Sequence, residues 1–125
     1  MNLADTPAAM IARLDASLAR RGETIILRRL VSGTWREVTL RGRLSGHMTD
    51  DLVGTTKQTL KTFILSPTLL NAAVAAATWP PVPGTPRIKL TDELEDVDGV
   101  SRRIDSLAAK RINDVIVRYE GQILG

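Results

Sequence analysis

Residues 22–44 read GETIILRRLVSGTWREVTLRGRL, and this stretch decides the fold. Ser32 and Gly33 are turn residues between two runs rich in aliphatic side chains, so the stretch predicts a hairpin. In the second run Val38, Leu40, Gly42 and Leu44 alternate with Glu37, Thr39, Arg41 and Arg43, a period of two that offers one face to a core and one to water. The first run, Glu23 to Val31, places Ile25, Ile26, Leu27, Leu30 and Val31 on both faces. That predicts a strand covered from both sides, as in a curled sheet or small barrel with a helix packed on it, with Arg28 and Arg29 near its open end. A lone hairpin is marginal in water, so the neighbouring segments must continue its sheet and cover its apolar face.

Working outward, Thr6 is a predicted N-cap with Pro7 at the first helical position, and Met10, Ile11, Leu14 and Leu18 fall on one stripe. The helix over 6–21 ends with Arg20 and Arg21 at the negative end of its dipole, and Gly22 is expected in the left-handed conformation that closes it. It is read as a cover for one end of the sheet.

Past Leu44, residues 45–56 read as a loop too long for a hairpin turn, polar and glycine-bearing yet containing Met48, Leu52 and Val53. Such loops are often functional, and residues 47–54 (His47, Met48, Asp50, Asp51, Leu52, Val53 and Gly54) form a candidate partner or channel loop. His47 is the chain's one histidine, so it is read as an exposed loop residue rather than a ligand or catalyst. Lys57 to Leu65 predicts a third strand. Ser66 and Pro67 then open a short inserted helix over 67–77, Pro80 stops it, and the proline-rich 80–86 makes a stiff connector with Trp79 as its anchor.

Arg87 to Leu90 reads as a short strand and residues 92–99 as an acidic turn bearing Asp92, Glu93, Glu95, Asp96 and Asp98. Aligning Gly99 with the invariant glycine of a calcium loop puts Leu94 at the first ligand position, which breaks the pattern. The segment is read as a solvated acidic loop, with docking as the alternative use of its charge. Val100 to Leu107 fits strand or helix, and strand is preferred. Asn113 and Asp114 turn the chain into a last strand of alternating Val115, Val117, Tyr119, Gly121 and Ile123.

The 125 residues suit a single domain able to build its own core. The absence of cysteine excludes disulfides, thiolate zinc sites and cysteine nucleophiles, and is ordinary for a protein made in a reducing cytoplasm. The net charge of +3 is modest and its basic residues are scattered, while Trp35, Phe63, Trp79 and Tyr119 are the only stacking candidates. Sequence-specific nucleic-acid binding is therefore not expected, although non-specific contact with a phosphate backbone is open to Arg41 and Arg43 as channel or interface charges. The longest apolar run, Leu69 to Trp79, is about half of what a membrane-spanning helix needs, so no membrane is expected. There is no glycine-rich phosphate loop, no GxSxG elbow and no HExxH, and the reading is of a protein that is not an enzyme and takes no cofactor or metal.

Asp50-Asp51-Leu52-Val53-Gly54, followed by Gln58, Lys61 and Ile64-Leu65-Ser66-Pro67, resembles the middle of the head-completion proteins of tailed phages, the stopper or head-tail joining family. The ETIILRR of 23–29 and the VIVRYEGQILG of 115–125 resemble that family's first and last strands. The chain departs from the family in its 80–86 connector and its acidic 92–99 turn. The resemblance implies an α+β, mainly β fold: a small antiparallel barrel over 23–124 of about six strands, with an N-terminal helix and one short inserted helix. It further implies a virion protein, synthesised in the host cytoplasm, that forms a homo-oligomeric ring in the neck. Its partners would be copies of itself, a portal or adaptor ring on the head side and a tail terminator on the tail side. Alternatives are another connector ring, either a portal adaptor or a tail terminator, and a small basic β-barrel that binds nucleic acid.

Overall fold

The computed structural model describes residues 6–53, 56–79 and 87–124, with the backbone alone described over 46–53 and 56–60. Helix α1 spans Pro7–Arg21 and begins as expected, the Thr6 hydroxyl accepting a hydrogen bond from the Ala9 amide at 3.2 Å. Strands β1 (Glu23–Val31), β2 (Thr34–Val53) and β3 (Thr56–Leu65) follow, then helix α2 (Thr68–Ala75) and strands β4 (Glu93–Glu95), β5 (Ser101–Ile112) and β6 (Val115–Leu124). The six strands pair antiparallel in the order β1-β2-β3-β6-β5-β4 and close into a barrel. Closure depends on the three residues of β4, which pair with β1 through Arg28 and Glu93 and with β5 through Glu95 and Ser101.

The alternation read in the sequence becomes the barrel interior. Ile25 and Leu27 of β1, Leu40 of β2, Phe63 and Leu65 of β3, Leu94, Ile104, and Tyr119 and Ile123 of β6 are all buried. Leu18 of α1, Leu70 of α2 and Trp79 are buried as well. Both short turns have the left-handed geometry that a two-residue hairpin demands: Ser32 and Gly33 at φ 51° and 80°, Asn113 and Asp114 at 49° and 63°. Gly121 faces Phe63 so closely that a Cβ there would lie 2.8 Å from its ring and run into the Ser106 carbonyl.

Several expectations are corrected. Residues 45–53 are not a loop: they continue β2, and Thr56 already belongs to β3, so the segment is a long hairpin whose strands stay paired out to Val53 and Thr56. A two-stranded ribbon with no third strand beside it lacks the buried face that imposes alternation, which is why its pattern reads as a loop. Residues 87–90 are not a strand, because the Asp92 carboxylate accepts the Lys89 amide at 2.8 Å and the Asp92 amide donates to the Lys89 carbonyl, folding 89–92 into a turn. The strand comes three residues later, at Glu93–Glu95, inside the segment read as an acidic turn. Gly22 is extended (φ −84°, ψ 180°), not left-handed; what it supplies is room, since a Cβ would press on the Leu18 carbonyl at 2.5 Å. The inserted helix is shorter than 67–77, ended by Ala77 in the left-handed region at φ 58°. The ambiguous 100–107 segment is strand, continuing to Ile112. The connector 80–86 lies outside the described residues.

Candidate functional site

The register places the hairpins at opposite ends of the barrel. β3 pairs with β6 only from Leu60 to Leu65, and β2 pairs with β1 only up to Gly42. From Met48 outward, β2 and β3 therefore pair only with each other among the described residues, and their ribbon projects past the C-terminal end of β6. Its register shifts between Met48 and Leu52, around Thr49, Asp50 and Asp51. At the other end β5 and β6 run on past Leu65 to the turn at Asn113 and Asp114, beside the tip of the β1–β2 hairpin. Large apolar side chains are exposed there, among them Leu30 and Trp35, which are cross-strand partners, and Val115. The Arg28 guanidinium lies 4.5 Å from the centroid of the Trp35 ring and donates from Nε to Glu37 at 3.3 Å.

Beneath these tips the barrel is plugged by a charged clasp. Arg29 follows Ile25 and Leu27 on the inward face of β1, so a guanidinium points where an aliphatic group would otherwise pack. It donates to both oxygens of Asp92 at 2.8 Å, with Arg29 only 6% exposed and Asp92 fully buried. Trp79 covers the guanidinium with its ring centroid 4.9 Å away, and the Arg87 carbonyl accepts from Trp79 Nε1 and Arg29 Nη2. A bidentate pair with its remaining donors satisfied is the form in which charge is tolerated inside a protein. The anchor role read for Trp79 is what the structure shows.

The acidic segment is consequently not a solvated loop. Asp92 belongs to the clasp, Glu93 and Glu95 are half-buried in β4, and Glu95 lies 3.9 Å from Arg28. Asp96 pairs with Arg102 and accepts the amides of Asp98 and Val100 at 2.9 and 3.2 Å. Burial alone would raise the pKa of Asp96, but the Arg102 hydrogen bond and charge and the two backbone donors outweigh it, so its pKa lies below the ordinary carboxylate range. Only Asp98 of the five acids is exposed.

Of the other candidates, Arg41 is committed to the helix, its Nε donating to the Leu18 carbonyl at 3.1 Å, while Arg43 is exposed on β2. The candidates from His47 to Val53 lie along one strand of the projecting ribbon, and Gly54 lies outside the described residues. The structure does not bring the three candidate groups together: ribbon, β2 arginines and acidic residues occupy separate places.

Sequence reasoning missed a groove of about 910 Å³ between residues 87–90 and the β5–β6 ribbon. Arg87, Lys89 and Arg111 stand around it, with Leu107, Ile116 and Tyr119 below. Burial pushes the Tyr119 hydroxyl's pKa up, against the nearby charges of Arg87 and Arg111. The available signal was the KR pair at Lys110 and Arg111 directly after the apolar Leu107-Ala108-Ala109. A second, smaller pocket lies between α1 and α2, where Asp15 accepts hydrogen bonds from the hydroxyls of Ser66 and Thr68 and joins the two helices. Among the described residues no helix is long and apolar enough to cross a membrane. Compared with protein families, curated proteins and solved structures, the chain finds no match.

Proposed function

We propose that this chain is a structural subunit of a tailed-phage neck, a head-completion or stopper protein that assembles as a ring between head and tail, retains the packaged DNA and presents the surface on which the tail docks. The observation that carries this reading is a closed barrel with paired-strand ribbons leaving it at opposite ends. A subunit that sits between two neighbours needs a stiff body and contacts on both sides, and ribbons are the elements that gain most from a partner, being marginal alone. The strand-pattern resemblance of 23–29, 50–67 and 115–125 supports the same reading. In it the β2–β3 ribbon reaches toward the channel or an adjacent ring, and scattered exposed cations such as Arg43 contact DNA without reading its sequence.

The test is to add purified protein to DNA-filled, tailless heads and image the portal vertex. A ring at that vertex, with DNA leakage halted and tails able to attach, is the expected result. Binding to isolated tails reassigns the chain to a tail terminator, and binding to empty portals makes it an adaptor. A protein that ignores heads and tails but coats duplex DNA as a monomer overturns the connector reading in favour of a nucleic-acid binder.

A further inference from the structure

Among the described residues, the outer edge of β5 is open over most of its length. β4 pairs with β5 only at Ser101 to Arg103, and one further bond, from the Ile104 amide to the Asp92 carbonyl at 3.4 Å, ends the coverage. From Ser106 to Ile112, β5 pairs only with β6 among the described residues. An open edge is a template for another strand, and natural proteins usually cover it or blunt it with charge. Here the edge borders the groove, so an added strand would find both backbone partners and a floor: Leu107 and Ile116 are partly buried and Leu90 is 52% exposed.

Charge selects the occupant. Arg87 and Lys89 rise on one wall and Arg111 on the other, against the single carboxylate of Asp105, and none of the three cations pairs with a carboxylate among the described residues. Two copies of β5 set edge to edge would gather two sets of Arg87, Lys89 and Arg111 along one seam against only two copies of Asp105, which disfavours self-pairing. We propose that this groove is a strand-addition site for an extended acidic segment of a partner protein, its main chain paired with the edge of β5 from Ser106 to Ile112, and its groove-facing side chains including both carboxylates, set between Arg87, Lys89 and Arg111, and apolar groups, set on Leu107 and Ile116. Backbone pairing supplies affinity and the alternation supplies selectivity, the division of labour of strand-addition complexes. The open stretch accommodates a partner strand of about five to seven residues at the usual rise per residue.

The probe is a short synthetic peptide, Val-Ser-Glu-Ser-Val-Ser-Glu, which presents valine and glutamate in turn on one face, added to the full chain while amide hydrogen exchange and affinity are followed. Exchange at 106–112 is expected to be fast in the free protein and to slow on adding the peptide, with affinity falling as salt rises. The same peptide with lysine for glutamate, or with alternate backbone nitrogens methylated, is expected not to protect β5. Arg111→Glu should weaken binding about tenfold, and Lys89→Glu on the facing wall should do the same if Arg111→Glu disturbs the ribbon. The proposal is overturned by equal binding of the lysine peptide, by equal binding of the methylated one, or by β5 amides unmoved by the acidic peptide. Protection that appears on raising the protein concentration alone assigns the edge to a second copy and overturns it too.

Discussion

The two ends of the barrel hold their charge and their chain in opposite ways. At the end capped by Trp79, the Arg29–Asp92 pair is buried and tied to the backbone at Arg87 and Lys89, so the chain between α2 and β4 is pinned to the interior of the sheet. At the other end β2 and β3 leave the wall and hold only each other. A clasp whose charges are paired and hydrogen-bonded holds the chain in place, and removing one partner is costly; a ribbon whose strands, among the described residues, pair only with each other contributes less to the fold. The clasp therefore serves the fold and the β2–β3 ribbon is available to a partner, and the expected effects of substitution follow that gradient.

The wall and the clasp should give the largest losses. Leu40→Asp or Val117→Asp puts an unpaired carboxylate into positions that are 1% and 4% exposed, and either should unfold the domain in a thermal melt. Burial of such a group removes most of a stability of about 5–15 kcal/mol. Asp92→Ala leaves the Arg29 guanidinium buried without its partner and should cost about 3–5 kcal/mol, while the double variant Arg29→Met with Asp92→Leu should recover most of it. Chemical denaturation of the unaltered chain, Arg29→Met, Asp92→Leu and the double variant measures the coupling. A double variant as unstable as Asp92→Ala would mean that the clasp's geometry, and not its charge balance, holds the end closed. Gly121→Ala comes next, at about 1–3 kcal/mol, because the added methyl must displace Phe63 or the Ser106 backbone.

What was legible in the sequence is divided along the same line. Where a strand has one buried face, its period survives in the residues: Leu40, Val117 and Tyr119 were readable as core and are core, whereas β1, aliphatic on both faces, was expected to be covered on both sides and instead buries Ile25 and Leu27 and exposes Leu30. Cap and turn chemistry was equally direct at Thr6, Ser32-Gly33 and Asn113-Asp114, since those geometries are local. Two kinds of structure were not readable. A ribbon held by one neighbour needs no alternation, so 45–53 resembled a loop. The clasp depends on a contact across 63 residues, and nothing near Asp92 in the chain says that its counter-charge sits on β1. The groove was hidden for the same reason, its two walls coming from 87–90 and from β5.

Smaller effects sharpen the contrast at the acidic turn. Asp96 titrates below the ordinary aspartate range when folded, so its contribution to stability is complete above that range and is lost as pH falls through the lowered folded value. Acidifying from about pH 5 to 2 should lower the melting temperature, and Asp96→Asn should flatten part of that fall by removing the linked proton. Identical slopes for the two proteins would show that the Arg102 and backbone contacts do not persist in solution.

The smallest effect on stability is expected where the effect on function is expected to be greatest. His47 and Leu60 are register partners, so residues 48–59 can be replaced by a two-residue Asn-Gly turn that closes the ribbon at that pair. The removed residues pair only with one another, and β6 meets β3 from Leu60 inward, so the barrel keeps its ladder. Shortening a hairpin changes closure entropy by less than about 1 kcal/mol, so circular dichroism and the denaturation midpoint should match the intact chain. The truncated protein should nonetheless fail to restore infectivity to a phage lacking this chain, leaving heads that leak DNA or carry no tails. Full infectivity from the folded variant would remove the ribbon from the joining reaction and shift the burden to the opposite end, where Leu30, Trp35 and Val115 are exposed. Unfolding of the variant would instead break the comparison itself, because it would show that the ribbon, like the clasp, serves the fold.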